Sequence, residues 1–154
     1  MKYQKIDSKL FIKNRKNFLS RMKPNSIAFF NSNDIYPVSA DSTLPFEQHR
    51  DIFYLSGVDQ EESVLMLCPS CSDQNLREVL FLKETDEHIA VWEGPKLNKK
   101  QAFETSGIKS VFWLDEMENI IDKVMNQCET IYFNHNEHYR AKIEMETREE
   151  RFNK

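Results

Sequence analysis

Cys68 and Cys71, in "CPSC", place the chain's most reactive side-chain type at a spacing shared by redox dithiols and by half of a structural zinc site. A redox dithiol needs a helix N-terminus directly after it to stabilise the thiolate. Here "SDQNLREVLF" runs into another strand pattern instead. A zinc site needs two further ligands at similar spacing, and Cys128 stands by itself in the sequence. The pair is expected to be incidental thiols in a hairpin loop. His135 and His138, in "HNEHYR", lie three apart after a strand pattern. Metal-binding histidine pairs on helices usually sit four apart, and this pair lacks a third ligand, so a surface turn is expected. His49 and His88 have no nucleophile beside them. No G-x-S-x-G, phosphate loop or G-x-G-x-x-G occurs, and the chain has only 3 Gly, which removes the common nucleophile-elbow and nucleotide-cradle readings. The carboxylates are scattered. Residue by residue, no complete active site assembles, and no catalytic or metal-ligating residue is assigned.

The stretch "IAVWEGPKL" (89–97) offers different chemistry. A strand-like run, Ile89 to Val91, delivers Trp92 straight into Glu93-Gly94-Pro95. Gly tolerates the φ angles that bend a chain, and Pro fixes its own φ and removes a donor. A large apolar side chain therefore stands where the backbone leaves the core. Trp92 is either a lid on that core or a surface presented to something outside.

The elements that position these residues can be read from periodicity. In "SKLFIKNRKNFLSRM" (8–22), Phe11, Phe18, Leu19 and Met22 form a helical stripe, with Asp7 or Ser8 as N-cap and Pro24 closing it. "SIAFF" (26–30) is short and apolar enough for a buried strand. The polar stretch 31–51 has no clear period, and a loop of that length is commonly functional. "IFYLSG" (52–57), "SVLMLC" (63–68) and "EVLFLK" (78–83) read as strands, the first turning at Gly57. "NKKQAFETSG" (98–107) is a short helix with an Asn98/Gln101 capping box and a stop at Gly107. "SVFWL" (110–114) is a strand. "DEMENIIDKVMNQC" (115–128) is a helix capped by Asp115 and Glu118, with Leu114, Met117, Ile121, Val124 and Met125 on its apolar face. "TIYFN" (130–134) is the last strand. Strands apolar on both faces, two alternating with helices, imply an α/β fold with helices on both faces of a mixed sheet.

The totals agree. At 154 residues with 40% hydrophobic and 30% charged content, this is a one-domain globular chain with a core supplied by 11 Phe. A net charge of -4 argues against a nucleic-acid backbone as partner. No run is long and apolar enough for a membrane span, and "MKYQKIDSKLF" lacks a signal-peptide apolar region, so a cytoplasmic protein without a membrane partner is expected. The tail "RAKIEMETREERFNK" (140–154) is charged at nine of fifteen positions and reads as a surface helix or frayed end.

Two segments in order, "SADSTLPFEQHRDIFYLSGVDQEESVLML" (39–67) and "VLFLKETDEHIAVWEGPKL" (79–97), resemble the amino-terminal domain of the Xaa-Pro aminopeptidases (aminopeptidase P), relatives of prolidase and creatinase. The resemblance runs from about residue 9 to about residue 140. It rests on Ala40-Asp41, Pro45-Phe46, Asp51 through Gly57, and Trp92-Glu93-Gly94-Pro95. Asp51 through Gly57 is read as a buried strand and turn, and no role falls on His49 or Arg50.

The resemblance implies a ribonuclease H-like fold that helps build a homo-oligomer and reaches into the active-site mouth of a neighbouring subunit. It also implies a following catalytic domain in which two Asp, one His and two Glu hold two manganese ions. The metal pair generates a hydroxide that attacks the bond between a first residue and a proline in second place. This sequence stops before any of those ligands, so the chain by itself is expected to be inactive. The expected organisation is a 1–139 aminopeptidase P amino-terminal domain, with 140–154 beginning a linker to the catalytic domain. By the same resemblance Trp92 and Asp41 are substrate-binding residues, the Trp as an apolar wall with one N–H donor and the Asp to orient a basic group. An alternative is a free-standing module that binds a protein or peptide on the same fold.

Overall fold

The computed structural model describes residues 6–40, 42–85, 94–135 and 138. The strand pattern at 89–91, Trp92, Asp41 and the tail 140–154 lie outside the described residues, as does the expected domain limit at 139.

Helix α1 spans Ser8–Leu19 and starts where a cap exists: the Asp7 carboxylate accepts the Lys9 N–H at 2.9 Å. Strand β1 (Ser26–Asn31) follows, then a short exposed hairpin of β2 (Pro37–Ser39) and β3 (Ser42–Thr43) inside the long polar stretch. After helix α2 (Arg50–Ser56) come β4 (Ser63–Leu67) and β5 (Glu78–Leu82), joined through a 3-10 turn at Gln74–Leu76. Helix α3 (Lys99–Ser106), β6 (Ser110–Trp113), helix α4 (Met117–Met125) and β7 (Thr130–Phe133) complete the described order.

Five strands form one mixed sheet in the order β6-β5-β4-β1-β7. The central pairs β1/β4 and β4/β5 are antiparallel, and the outer pairs β1/β7 and β5/β6 are parallel. Side chains alternate through this sheet and make two cores. Ala28, Phe30, Leu65, Leu67, Leu80 and Leu82 face α1, α2 and α3. Ile27, Phe29, Met66, Val79 and Phe81 face α4. The expected mixed sheet with helices on both faces is what forms, three described helices on one side and one on the other. Each fully buried Leu of the inner strands contributes about 1.5–3 kcal/mol by leaving water.

Residues 52–57 correct the reading made from sequence. They are helical, not a strand: α2 is capped by His49, whose Nδ1 accepts the Asp51 N–H at 3.3 Å. Gly57 ends it at φ 71°, and its N–H donates to the Phe53 carbonyl at 2.8 Å. Ile52 and Leu55, three apart, are buried, while Tyr54 is exposed, which is a helical and not an alternating pattern. The start of α4 also differs. A 3-10 turn at Leu114–Glu116 precedes it, and Glu116, rather than Asp115 with Glu118, accepts a free backbone donor, the Trp113 N–H at 2.9 Å. That bond, with Lys99 at 3.2 Å, holds the Glu116 carboxyl below its ordinary value of 4.5. The expected apolar face of α4 packs on the sheet, centred on Ile120, which the sequence reading left out.

The same C-terminal device ends α2 and α3. Ser56 and Ser106 each bond back to a carbonyl four residues earlier and receive the N–H two residues on, across Gly57 and Gly107. Both glycines sit at positive φ, 71° and 73°, against α1. A Cβ at Gly57 would clash with the edge of the Phe11 ring, whereas one at Gly107 would meet the movable end of Ile12 at 2.7 Å. Alanine at either position is expected to cost about 1–2 kcal/mol for the left-handed backbone. Gly57→Ala adds a clash with a rigid, buried ring, so it is expected to exceed Gly107→Ala by about 1 kcal/mol or more. Urea midpoints of the two variants measure the difference; equal losses would contradict it.

Candidate functional site

Trp92 and Asp41, the two residues expected to meet substrate, are outside the described residues; the residues on either side of position 41, and those from Gly94 onward, are described. Position 41 is flanked by paired residues, Pro37 with Thr43 and Ser39 with Ser42, and Ala40 stands at φ 49°. The Leu44 N–H closes the hairpin on the Tyr36 carbonyl at 2.9 Å. Downstream, the Gln48 side chain donates to the Gln60 carbonyl at 2.8 Å. On the other side, the Gln60 side-chain oxygen accepts the Leu97 N–H at 2.7 Å. Gln60 thus joins Gln48, downstream of position 41, to Leu97, downstream of position 92.

Glu61, the next residue, ion-pairs with Lys96. Their side chains are 4% (Lys96) and 16% (Glu61) exposed, so the pair is a fixed strut and not a surface contact. Gly94 stands at φ 81° with no heavy atom near where a Cβ would be. The left-handed backbone at Gly94 is therefore allowed by the freedom of glycine rather than forced by crowding from described atoms. Leu97 leads directly to Asn98, the cap of α3, whose side chain accepts the Gln101 N–H while the Gln101 side chain accepts the Asn98 N–H. A turn fixed at Gln60, Glu61 and a capped helix has little freedom at its base.

A cavity of about 530 Å³ opens beside this base, lined among others by Phe11, Phe53, Gln60, Glu61, Pro95 and Leu97. Its walls suit an apolar group with a few polar contacts. Gln60 Nε2 is buried without a hydrogen-bond partner, a cost of about 1–3 kcal/mol accepted where two segments are clamped. Gln60, Glu61 and Lys96 were not singled out in the sequence. For Gln60 and Glu61 the signal, a polar run "VDQEES" after Gly57, reads as an ordinary loop, and Lys96 follows the Gly94-Pro95 turn pattern.

Two other clusters change between sequence and structure. His49, His135 and His138 line one cleft with Glu47 and Asp51. His49 Nδ1 is already engaged as the α2 cap, and among the described residues no group of three His, Cys, Asp or Glu is arranged to hold a metal. The manganese pair that the resemblance implies for a catalytic domain has no ligand set among the described residues. Cys128 is not by itself in space. Its Sγ lies 3.5 Å from Cys68 Sγ, with Cys71 in the same apolar cluster. No described helix is long and apolar enough to cross a membrane.

Residues 11–132 match the family model described as "Aminopeptidase P, N-terminal domain". The chain is 27% identical over 138 residues to the Xaa-Pro aminopeptidase of Escherichia coli, covering 90% of this chain and 31% of that protein. It is 23% identical to the Xaa-Pro aminopeptidase of Haemophilus influenzae, covering 83% of this chain and 29% of the relative. Among solved structures, the aminopeptidase P from E. coli with the inhibitor Pro-Leu superimposes with a TM-score of 0.75 at 25% identity, over 90% of this chain and 31% of that one. Pseudomonas aeruginosa aminopeptidase PepP shares the fold at a TM-score of 0.78 and 23% identity, over 90% of this chain and 31% of that one. The chain spans about three-tenths of the length of these relatives.

Proposed function

The chain belongs to the family of aminopeptidase P N-terminal domains, and from that premise we propose that it is the non-catalytic front part of a Xaa-Pro aminopeptidase. Its roles are subunit assembly and shaping of the substrate entrance. Its partners are a following catalytic domain, further copies of itself, and a peptide with proline in second place. The two manganese ions and the hydrolytic step belong to the catalytic domain. Trp92 and Asp41 are the residues that meet the peptide. The observation that supports this reading is the Gln60 bracket, which ties Gln48 and Leu97, seven and five residues along the chain from Asp41 and Trp92 respectively, to one loop. A substrate entrance needs its contacts held on a fixed base.

The test is kinetic, in a longer polypeptide that carries the catalytic domain. Trp92→Ala is expected to lower kcat/KM on peptides longer than the minimal substrate by roughly two- to twelve-fold, the range of one aromatic contact of about 0.5–1.5 kcal/mol. Metal content should stay at the parent level. Unaltered kinetics on long peptides would remove Trp92 from the entrance.

A further inference from the structure

We propose that Cys68 and Cys128 form an oxidisable thiol pair, joined by a disulfide when a hydroperoxide reaches Cys128. Their sulfurs are 3.5 Å apart although the residues are separated by 60 positions. A disulfide sets them about 2.05 Å apart, so the bond requires a closure of about 1.5 Å, shared between two side-chain rotations.

The backbones that carry the two thiols are fixed. The Cys68 N–H donates to the Arg77 carbonyl at 2.8 Å at the end of β4, and the Cys128 N–H donates to the Met125 carbonyl at 3.1 Å at the end of α4. Cys68 is fully buried against Ile27, Met66 and Val124, whereas Cys128 is partly exposed. An oxidant therefore meets Cys128 first. Burial, reinforced by the hydrogen bond with Cys128, pushes the Cys68 thiol up to about 12. Cys68 then waits as a protonated, sheltered thiol beside the partly exposed one.

In the first step the Cys128 sulfur attacks one oxygen of hydrogen peroxide. The O–O bond breaks, the sulfur is oxidised to the sulfenic acid, and the other oxygen leaves as water with the thiol proton. In the second step the Cys68 sulfur attacks the Cys128 sulfur and the S–OH bond breaks. The Cys68 proton leaves with that hydroxide as a second water. Two thiols and one peroxide become one disulfide and two waters. The raised Cys68 thiol makes this second step slow unless its proton moves with the departing hydroxide, which the 3.5 Å approach permits. The link ties the middle of the sheet to the end of α4, directly ahead of β7 and the chain beyond it.

Cys71 is the competitor. It lies in the same apolar cluster, and its N–H closes a turn on the Cys68 carbonyl at 3.0 Å. The experiment exposes the chain to hydrogen peroxide, alkylates free thiols, digests without reduction and identifies linked peptides by mass. The expected product joins the Cys68 and Cys128 peptides within one chain, two hydrogens lighter than their sum. Cys71 is alkylated, and dithiothreitol restores all three thiols. In Cys128→Ser, the uptake of one peroxide equivalent should be lost. Three results would each overturn the proposal: a principal Cys68–Cys71 link, a Cys128 sulfinic acid with Cys68 still alkylated, or three unchanged thiols while free N-acetylcysteine is oxidised in the same tube.

Discussion

Arg15→Met is expected to lower the stability of the chain by about 3–5 kcal/mol. Arg15 is 1% exposed in the middle of α1, yet it carries a permanent charge. Its Nε donates to Glu78 at 2.8 Å, and one terminal nitrogen donates to the carbonyls of Leu55 at 2.8 Å and Ser106 at 3.0 Å. Those carbonyls lie at the ends of α2 and α3, where helices leave acceptors unsatisfied and the dipole favours a cation. One guanidinium thus joins three helices and β5. Methionine keeps the apolar stem but leaves two buried carbonyls bare, at about 1–3 kcal/mol each. Glu78 is about one-third exposed, so its loss adds less, because water takes over part of the guanidinium's place. The urea midpoint should fall by roughly 2 M for a slope of about 1–3 kcal/mol/M. Arg15→Lys should lie between, since an ammonium reaches fewer of these acceptors at once. A methionine variant within about 1 kcal/mol of the parent would show that the clasp is dispensable.

Arg15 also shows what the sequence could and could not disclose. The stripe of Phe11, Phe18 and Leu19 placed α1 correctly, and Arg15 sits inside that stripe, four after Phe11 and three before Phe18. A charged residue there reads as an interruption, because its acceptors arrive 40 and 91 positions later. The sheet was more legible. β1, β4 and β5 are continuous apolar runs whose fate in a two-faced sheet follows from composition alone.

Residues 52–57 failed for an instructive reason. "IFYL" holds β-branched and aromatic residues that favour strands in isolation, and seven residues are too few to display a helical period. The decisive signal lay further along the chain. "LSGV" (55–58) and "TSGI" (105–108) share a Ser-Gly-aliphatic ending, which reads as a helix stop after a capped polar run in the second case and as a strand turn after an apolar run in the first. Comparing the two would have identified α2. The thiol pair and the Gln60 bracket had no such internal copy. They arise from contacts between segments distant in sequence, and only the fold brings these together.

Lys96→Met is expected to carry the other large effect, about 3–5 kcal/mol, because it strands the Glu61 carboxylate in a site that was built for a paired charge. Glu61→Gln should cost less, about 1.5–3 kcal/mol. The amide keeps an oxygen that Lys96 can reach, and no buried anion is left behind. The sign of this difference matters more than its size. If the pair were a screened surface contact, both substitutions would fall below about 1 kcal/mol and would rank together. The damage should also be local before it is global. Leu97 depends on Gln60 for its N–H acceptor, and Gln60 is the neighbour of Glu61. Amide exchange at Leu97 is therefore expected to rise more steeply in Lys96→Met than exchange at Leu65 or Leu80 in the sheet. That pattern would mean the strut holds the segment from Gly94 to Leu97, not merely the domain. Uniform acceleration at Leu97, Leu65 and Leu80 would reduce Lys96 to a general stabiliser and leave the turn without a dedicated anchor.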